Sequence, residues 1–207
     1  AGKPLRRPAR SLLVGLRLVG DGAGPSRASA QTLVVAAVPP IQETTLPHLS
    51  SVSSKLMTRP IYEYLVDVDP ATWDYTKPML AERWQVSADA KTWTFFLRRG
   101  IPFHGGLGDV TAEDVKFSFE LLMRKDAIAT TTPHWRKLID RIEVVDPHTL
   151  RVHLKASDPD LLFELSSGRE VQVLSKRYVE AVGFEKAAEK PIGTGPYELV
   201  EWRKGEF

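Results

Sequence analysis

The sequence contains no cysteine. This absence excludes disulfides, thiolate zinc sites and cysteine nucleophiles, although it does not settle the compartment. Long apolar runs are missing too, since Leu12–Leu16 is far shorter than the roughly 20 residues of a membrane-spanning helix. The formal net charge of +2 gives no argument for nucleic-acid binding. What remains is 43% hydrophobic and 26% charged residues, a composition typical of a globular protein with one large domain or two small ones.

Positive charge is concentrated at the beginning of the chain. Several basic residues precede the first acid, Asp21, and they are Lys3, Arg6, Arg7, Arg10 and Arg17. The apolar run Leu12–Leu16 overlaps them, and Ala28–Ala30 follows. A basic start, an apolar middle and small residues at the end predict a secretory signal peptide over residues 1–30. The alternative is a basic leader without regular structure, because Arg17 interrupts the apolar run. The chain begins with alanine and ends at Phe207 without an obvious closing element, so we expect a fragment.

Hydrophobic periodicity predicts a mixed α/β chain. Residues 31–38 form an apolar run typical of a buried strand. Residues 80–98 alternate around a polar turn and predict a hairpin, and residues 139–154 predict a second one. The apolar stretch Leu161–Leu165 fits a helix or a strand, and Lys176–Phe184 is interpreted as a helix.

A histidine–glycine run, residues 98–115, raises the question of an active site. His104 with Glu113 or Asp114 suggests a base with an orienting acid, but the two acids follow a glycine turn and open a helix. Thr111 stands where an N-cap is expected, and the helix dipole stabilises acids in the first turn. We therefore predict a turn followed by a capped helix, with no catalytic role.

Other patterns also fail to indicate chemistry. His148 and His153 lie across a turn and lack a carboxylate cluster, so no metal site is predicted, and His153 is expected to be solvated. The Gly193-Thr194-Gly195 run lacks the third glycine of a dinucleotide loop and is interpreted as a tight turn. The sequence shows no nucleophile with a general base positioned to activate it. The residues predict neither an enzyme nor a cofactor.

Three blocks of sequence carry a family resemblance. The run LAERWQVSADAKTWTFFLRRGIPFHGG is followed by VTAEDVKFSFELL and, later, by PIGTGPYELVEW. In this order they resemble the extracytoplasmic solute-binding proteins of family 5, the peptide- and nickel-binding components of ABC transporters. The segments YEYLVDVDP and IEVVDPHTLRVHL are similar to the family as well. The resemblance covers residues 31–207, and the turn GGLGD is longer than the family's.

The resemblance implies a periplasmic-binding-protein-like, class II fold whose two lobes close on a solute. Residues 31–60 would start lobe one, residues 61–184 would form its side subdomain, and residues 185–207 would return to lobe one. The second lobe would be absent. The loop after the first strand would contact the solute, because open α/β folds bind ligands at the carboxyl ends of strands. The expected ligand-binding residues, for which a plain surface loop is the alternative, are Pro39, Pro40, Ile41, Gln42 and Glu43.

The resemblance also implies a function. The protein would be a monomer exported to the periplasm, would capture a peptide-like solute and would deliver it to ABC transporter permease subunits without a cofactor, a metal or nucleic acid. Two alternatives remain open. One is the solute-sensing domain of a transcriptional regulator, although the leader is too short and too rich in glycine and proline for a helix-turn-helix. The other is a peptide hydrolase.

Overall fold

The computed structural model describes residues 14–18, 44–50, 55, 57–167 and 171–202, and for residues 14–18 it describes the backbone alone. The strand predicted over residues 31–38 and the expected ligand-binding residues Pro39–Glu43 lie outside the described residues. The domain boundaries stay predictions.

Eight strands and four α-helices can be described. The strands are β1 (Val14–Leu18), β2 (Val66–Asp67), β3 (Lys77–Pro78), β4 (Ala81–Val86), β5 (Thr92–Leu97), β6 (Ile139–Asp146), β7 (Thr149–Leu154) and β8 (Tyr197–Trp202). The helices are α1 (Ala112–Met123), α2 (Thr132–Leu138), α3 (Leu161–Glu164) and α4 (Lys176–Glu189). Two short 3₁₀ helices cover Pro47–Leu49 and His104–Gly106.

The main sheet has four antiparallel strands in the order β4-β5-β7-β6. Both predicted hairpins are confirmed, as β4 pairs with β5 and β6 pairs with β7. The central pairing of β5 with β7 places Phe95 opposite Leu150, and both side chains are fully buried. Trp93 and Leu97 lie on the same buried face, as period-two alternation predicts. Helices α1 and α2 cover this face, where Trp135 packs edge-on against Phe119.

Helix α1 begins as the sequence predicts. Thr111 and Asp114 form a capping box, in which the Thr111 N–H donates to Asp114 Oδ2 at 2.9 Å. The buried Asp114 also receives a bond from elsewhere, because the Lys176 N–H donates to Asp114 Oδ1 at 2.8 Å. One carboxylate therefore satisfies N–H groups at the starts of both α1 and α4 and fixes the two helices relative to each other.

A second, smaller core lies around α4. It contains Leu46, Ile61, Tyr62, Leu121, Leu174, Val179 and Ala187. Helix α4 runs past the predicted end at Phe184 to Glu189, with an interruption at Gly183, whose φ of 81° is left-handed. Such a φ is easily adopted by glycine alone, so the chain resumes helix after the break instead of stopping.

Strand β8 pairs antiparallel with β1, placing Tyr197 opposite Leu18 and Trp202 opposite Val14. Strand β1 lies within the segment predicted as a leader, and the removal of that segment on export stays a prediction. In the part of the chain that the structure describes, no helix has the length and apolarity needed to cross a membrane.

Candidate functional site

The anchor of the expected ligand loop is visible, because the described chain resumes at Thr44, directly after Glu43. The Leu46 N–H donates to Thr44 Oγ1 at 3.1 Å, and Thr45 Oγ1 donates to the carbonyl oxygen of Ala188 at 2.8 Å. Thr45 and Leu46 are buried. The residues that follow the loop are therefore fixed to the C-terminal half of α4.

His48 strengthens this anchor. Its carbonyl oxygen accepts hydrogen bonds from the N–H groups of Ile128 at 2.9 Å and Ala129 at 3.3 Å. The imidazole is buried, packs edge-on against Phe184 at 5.5 Å between ring centroids, and its Nδ1 has no hydrogen-bond partner. Burial lowers the pKa of His48 from 6.5 to about 4, so the ring is neutral at neutral pH.

The segment around Gly193 and Gly195 packs against the chain at Pro60 and Ile61. The Gly195 N–H donates to the Ile61 carbonyl oxygen at 2.8 Å, and the Tyr197 N–H donates to that of Pro60 at 3.1 Å. A Cβ atom at Gly193 would lie 2.0 Å from the Ile61 oxygen, and one at Gly195 would lie 2.4 Å from the Pro60 oxygen. The glycines therefore permit close approach of two backbones, which supports the interpretation as a tight turn and not as a dinucleotide loop.

His104 joins the same junction. Its backbone N–H donates to the Gly193 carbonyl oxygen at 2.9 Å, and its ring Nε2 lies 2.7 Å from the Gly195 carbonyl oxygen. The Gly193 N–H in turn donates to Nδ1 at 3.4 Å. Both ring nitrogens are occupied by backbone groups, so His104 holds two segments together and has no nitrogen available for catalysis. Gly105, Gly106 and Gly108 have positive φ, as the predicted turn requires.

Glu63 is a half-buried carboxyl group beside this junction that sequence reasoning missed. Burial raises the pKa of Glu63 above its usual range, while the Thr194 hydroxyl and the charge of Arg98 oppose the shift. The Glu63 carbonyl oxygen accepts from the Val173 N–H at 3.0 Å. The sequence signal that points to Glu63 is its position between two tyrosines, Tyr62 and Tyr64, both of which are buried in the structure.

The expectation that His153 is solvated is wrong. Its Nε2 lies 2.9 Å from Glu143 Oε2, and its side chain is mostly buried, with 16% exposed. The β6–β7 register places Glu143 diagonally across from His153, a contact that spacing along one strand does not reveal. Among the residues that the structure describes, no group of three or more histidine, cysteine or acidic side chains lies close enough to hold a metal ion.

With this geometry established, a comparison with protein families is decisive. Residues 76–207 match the model described as bacterial extracellular solute-binding proteins, family 5. The chain belongs to this family. Family members bind solutes for transport and are not enzymes.

Individual relatives agree with this assignment. The chain is 30% identical over 165 residues to the probable ABC transporter periplasmic-binding protein SapA of Escherichia coli K12, and 31% identical over 169 residues to the dipeptide-binding protein of the same strain. Each alignment covers 70% of this chain and 30% of the relative. The chain therefore spans about a third of the length of these relatives.

A solved structure gives the same result for the fold. The mannopinic acid complex of MoaA from A. tumefaciens R10 superimposes with a TM-score of 0.70 and 30% identity, over 78% of this chain and 33% of MoaA. The predicted mixed α/β, periplasmic-binding-protein-like fold is confirmed, and the similarity covers part of the neighbour's chain. These comparisons give no support to a transcriptional regulator or a peptide hydrolase.

Proposed function

We propose that the natural protein containing this chain captures a small solute outside the cytoplasm and delivers it to the permease subunits of an ABC importer. The observation that carries the proposal is the match of residues 76–207 to extracellular solute-binding proteins, joined by similarity to SapA. The chain acts as a monomer and catalyses no reaction. The absence of any free histidine nitrogen at the His104 junction is consistent with a scaffold role.

Solute is held between two lobes, and this chain supplies one wall. Residues 31–60 and 185–207 belong to the first lobe and residues 61–184 form its side subdomain. The hydrogen bonds of Tyr197 with Pro60 and of Thr45 with Ala188 support this arrangement, because they join the two segments assigned to the first lobe. Ligand pockets bury most of a ligand's surface, so a single wall gives little affinity.

The loop Pro39–Glu43 contacts the solute, and the firm anchoring of the next residues, Thr45 and His48, supports this role. A rigid stem keeps binding groups in place and lowers the ordering cost of binding. Glu43 accepts a hydrogen bond from a cationic group of the solute.

The solute is a dipeptide or an oligopeptide, which the similarity to a dipeptide-binding protein favours. A peptide's amino terminus supplies the cation that Glu43 requires. The MoaA relative, which binds mannopinic acid, shows that ligand chemistry varies among these proteins. Residues 1–30 direct export as a signal peptide.

Uptake of a labelled dipeptide mixture by the source organism tests this function. Deleting the gene should abolish saturable uptake, and the natural gene should restore it. Glu43→Gln should raise the solute concentration for half-maximal uptake at least roughly tenfold, since hydrogen bonds to charged groups contribute about 1.5–3 kcal/mol. The matched control is Glu82→Gln on β4, where the side chain is exposed and uptake should not change. Unchanged uptake in the deletion strain would contradict the proposal.

A further inference from the structure

Trp73 is the most exposed large hydrophobic side chain in the described part of the protein, with 78% of its surface accessible. Tryptophan carries a large apolar surface that is usually at least partly buried, so this exposure needs a reason. Trp73 lies in the loop between β2 and β3.

The backbone at Trp73 is left-handed, with a φ of 59°. Bulky residues other than glycine adopt this conformation rarely, and such strain persists only where the surroundings enforce it. Here the Trp73 N–H donates to the Asp69 carbonyl oxygen at 2.8 Å, and the Asp69 N–H donates to that of Asp74 at 2.7 Å. The Asp69 carboxylate accepts from the Ala71 N–H at 2.8 Å. The loop is therefore cross-linked by hydrogen bonds that hold the indole in solvent.

Two further aromatic residues belong to the same part of the fold, Tyr75 in the loop of Trp73 and Phe163 on α3. Tyr75, two residues after Trp73, packs edge-on against Phe163 of α3 at 5.3 Å between ring centroids. Phe163 is 38% exposed, and Tyr75 is partly buried against the main core. We call Trp73, Tyr75 and Phe163 the aromatic patch. It has the composition of the central region of a protein interface, where tryptophan and tyrosine contribute most of the binding energy.

Acidic residues are concentrated in the two chain segments that carry the aromatic patch, and we call them the acidic rim. The two segments, residues 67–77 and 158–164, contain six acids and one base, namely Asp67, Asp69, Asp74, Asp158, Asp160, Glu164 and Lys77. Asp67 pairs with Lys77 at 3.4 Å and with Arg59, from outside these segments, at 3.6 Å. Asp158 lies 3.9 Å from His134 Nε2. Asp74 and Asp160 are exposed and supply further rim charge. Hydrogen bonds from Thr76 lower the pKa of Asp74, so this exposed carboxylate is charged at neutral pH.

We propose that the aromatic patch is a docking surface for a protein segment that presents an apolar side chain beside arginine or lysine. A cation bound next to an exposed indole gains both cation–π attraction and the field of the acidic rim. An anionic lipid surface would be repelled by the same rim. This inference rests on the proposed function, in which the partner is a permease subunit of the importer.

The test uses the full natural protein and its own importer reconstituted in proteoliposomes. The concentration of binding protein that gives half-maximal stimulation of ATP hydrolysis is measured, together with the dissociation constant for solute. Trp73→Ala should raise that concentration at least roughly tenfold, which is about 1.4 kcal/mol, and leave solute binding unchanged, because tryptophan residues carry much of the binding energy of protein interfaces. The matched control is Val86→Ala, an exposed apolar residue on β4, which should change neither value.

Two further variants separate docking from structure and from charge. Trp73→Gly relieves the left-handed backbone, so its thermal midpoint should equal or exceed that of the parent while stimulation is lost. Asp160→Asn removes an exposed rim charge and should weaken stimulation more at low salt than at high salt.

Several outcomes would overturn the docking proposal. Normal stimulation by Trp73→Ala would show that the indole is not used. A midpoint lowered by several degrees in Trp73→Gly would show that the rest of the natural chain packs on Trp73. Trp73-dependent sedimentation with anionic vesicles lacking the permease would assign the patch to lipid. A parent protein that binds solute but does not stimulate ATP hydrolysis would contradict the transport role itself, and the docking proposal would fall with it.

Discussion

The imidazole Nε2 of His104 lies 2.7 Å from the carbonyl oxygen of Gly195, a residue 91 positions further along the chain. Because a carbonyl oxygen accepts hydrogen bonds, Nε2 carries the proton and Nδ1 is left to accept from the Gly193 N–H. The histidine–glycine run and the Gly-Thr-Gly run therefore form one structural junction. This junction holds residues 193–195 against residues 60–62.

Removing the imidazole should destabilise the fold. His104 is 5% exposed, so His104→Ala leaves the carbonyl oxygen of Gly195 without its imidazole partner and opens a cavity. We expect the free energy of unfolding to fall by about 2–4 kcal/mol, measured by urea denaturation. His134→Ala is the control, because that side chain is 44% exposed and its loss should cost less than about 1 kcal/mol. Equal losses of unfolding free energy in the two variants would show that the buried His104 ring stabilises the fold no more than an exposed histidine does.

The close approach at Gly193 predicts an unequal pair of glycine substitutions. In Gly193→Ala, the new Cβ would lie 2.0 Å from the Ile61 carbonyl oxygen, and the two backbones must separate. In Gly106→Ala the new Cβ would contact no other atom, so the only destabilisation comes from placing alanine at a φ of 70°. We expect about 1 kcal/mol of destabilisation at Gly106 and more than about 3 kcal/mol at Gly193, by thermal or urea unfolding. A Gly193→Ala variant as stable as Gly106→Ala would refute the packing described here.

Burial of His48 predicts a dependence of stability on pH. The pKa of His48 falls from 6.5 to about 4 on folding, so the unfolded chain takes up a proton first as the pH falls. Stability contributed by the neutral ring is complete above about pH 6.5 and is lost as the pH falls toward 4, with a limit of about 3 kcal/mol. The charges that act on this ring belong to Asp126, Arg124 and Lys55.

His48→Phe keeps an edge-on ring contact with Phe184 and removes the titrating group. Urea unfolding at about pH 7 and about pH 4.5 gives the loss of stability on acidification for the parent and for the variant. Subtracting one loss from the other cancels the contribution of all other titrating groups. The parent should lose more stability than His48→Phe. Equal losses would show that His48 does not titrate as its burial implies.

The local structure could largely be predicted from the sequence. Alternation predicted the β4–β5 and β6–β7 hairpins, and Thr111 with Asp114 predicted the start of α1, because each signal depends on neighbouring residues alone. The second role of Asp114, in capping α4, involves Lys176 and therefore required the tertiary structure.

The junction residues were harder to interpret. Composition identified Gly193 and Gly195 as turn residues, but the reason for two glycines is the carbonyl groups of Pro60 and Ile61, more than 130 positions away. His153 was misjudged for the same reason, since its partner Glu143 lies on the neighbouring strand. The predicted ligand loop, Pro39–Glu43, stays a prediction.

Calorimetric titration with one dipeptide, performed on this 207-residue chain and on the longer natural protein, tests the central claim most directly. If this chain supplies one wall of a two-walled pocket, the longer protein should bind with a dissociation constant of about 1 μM or below, and the chain alone should show no such binding. Micromolar binding by the chain alone would contradict the account.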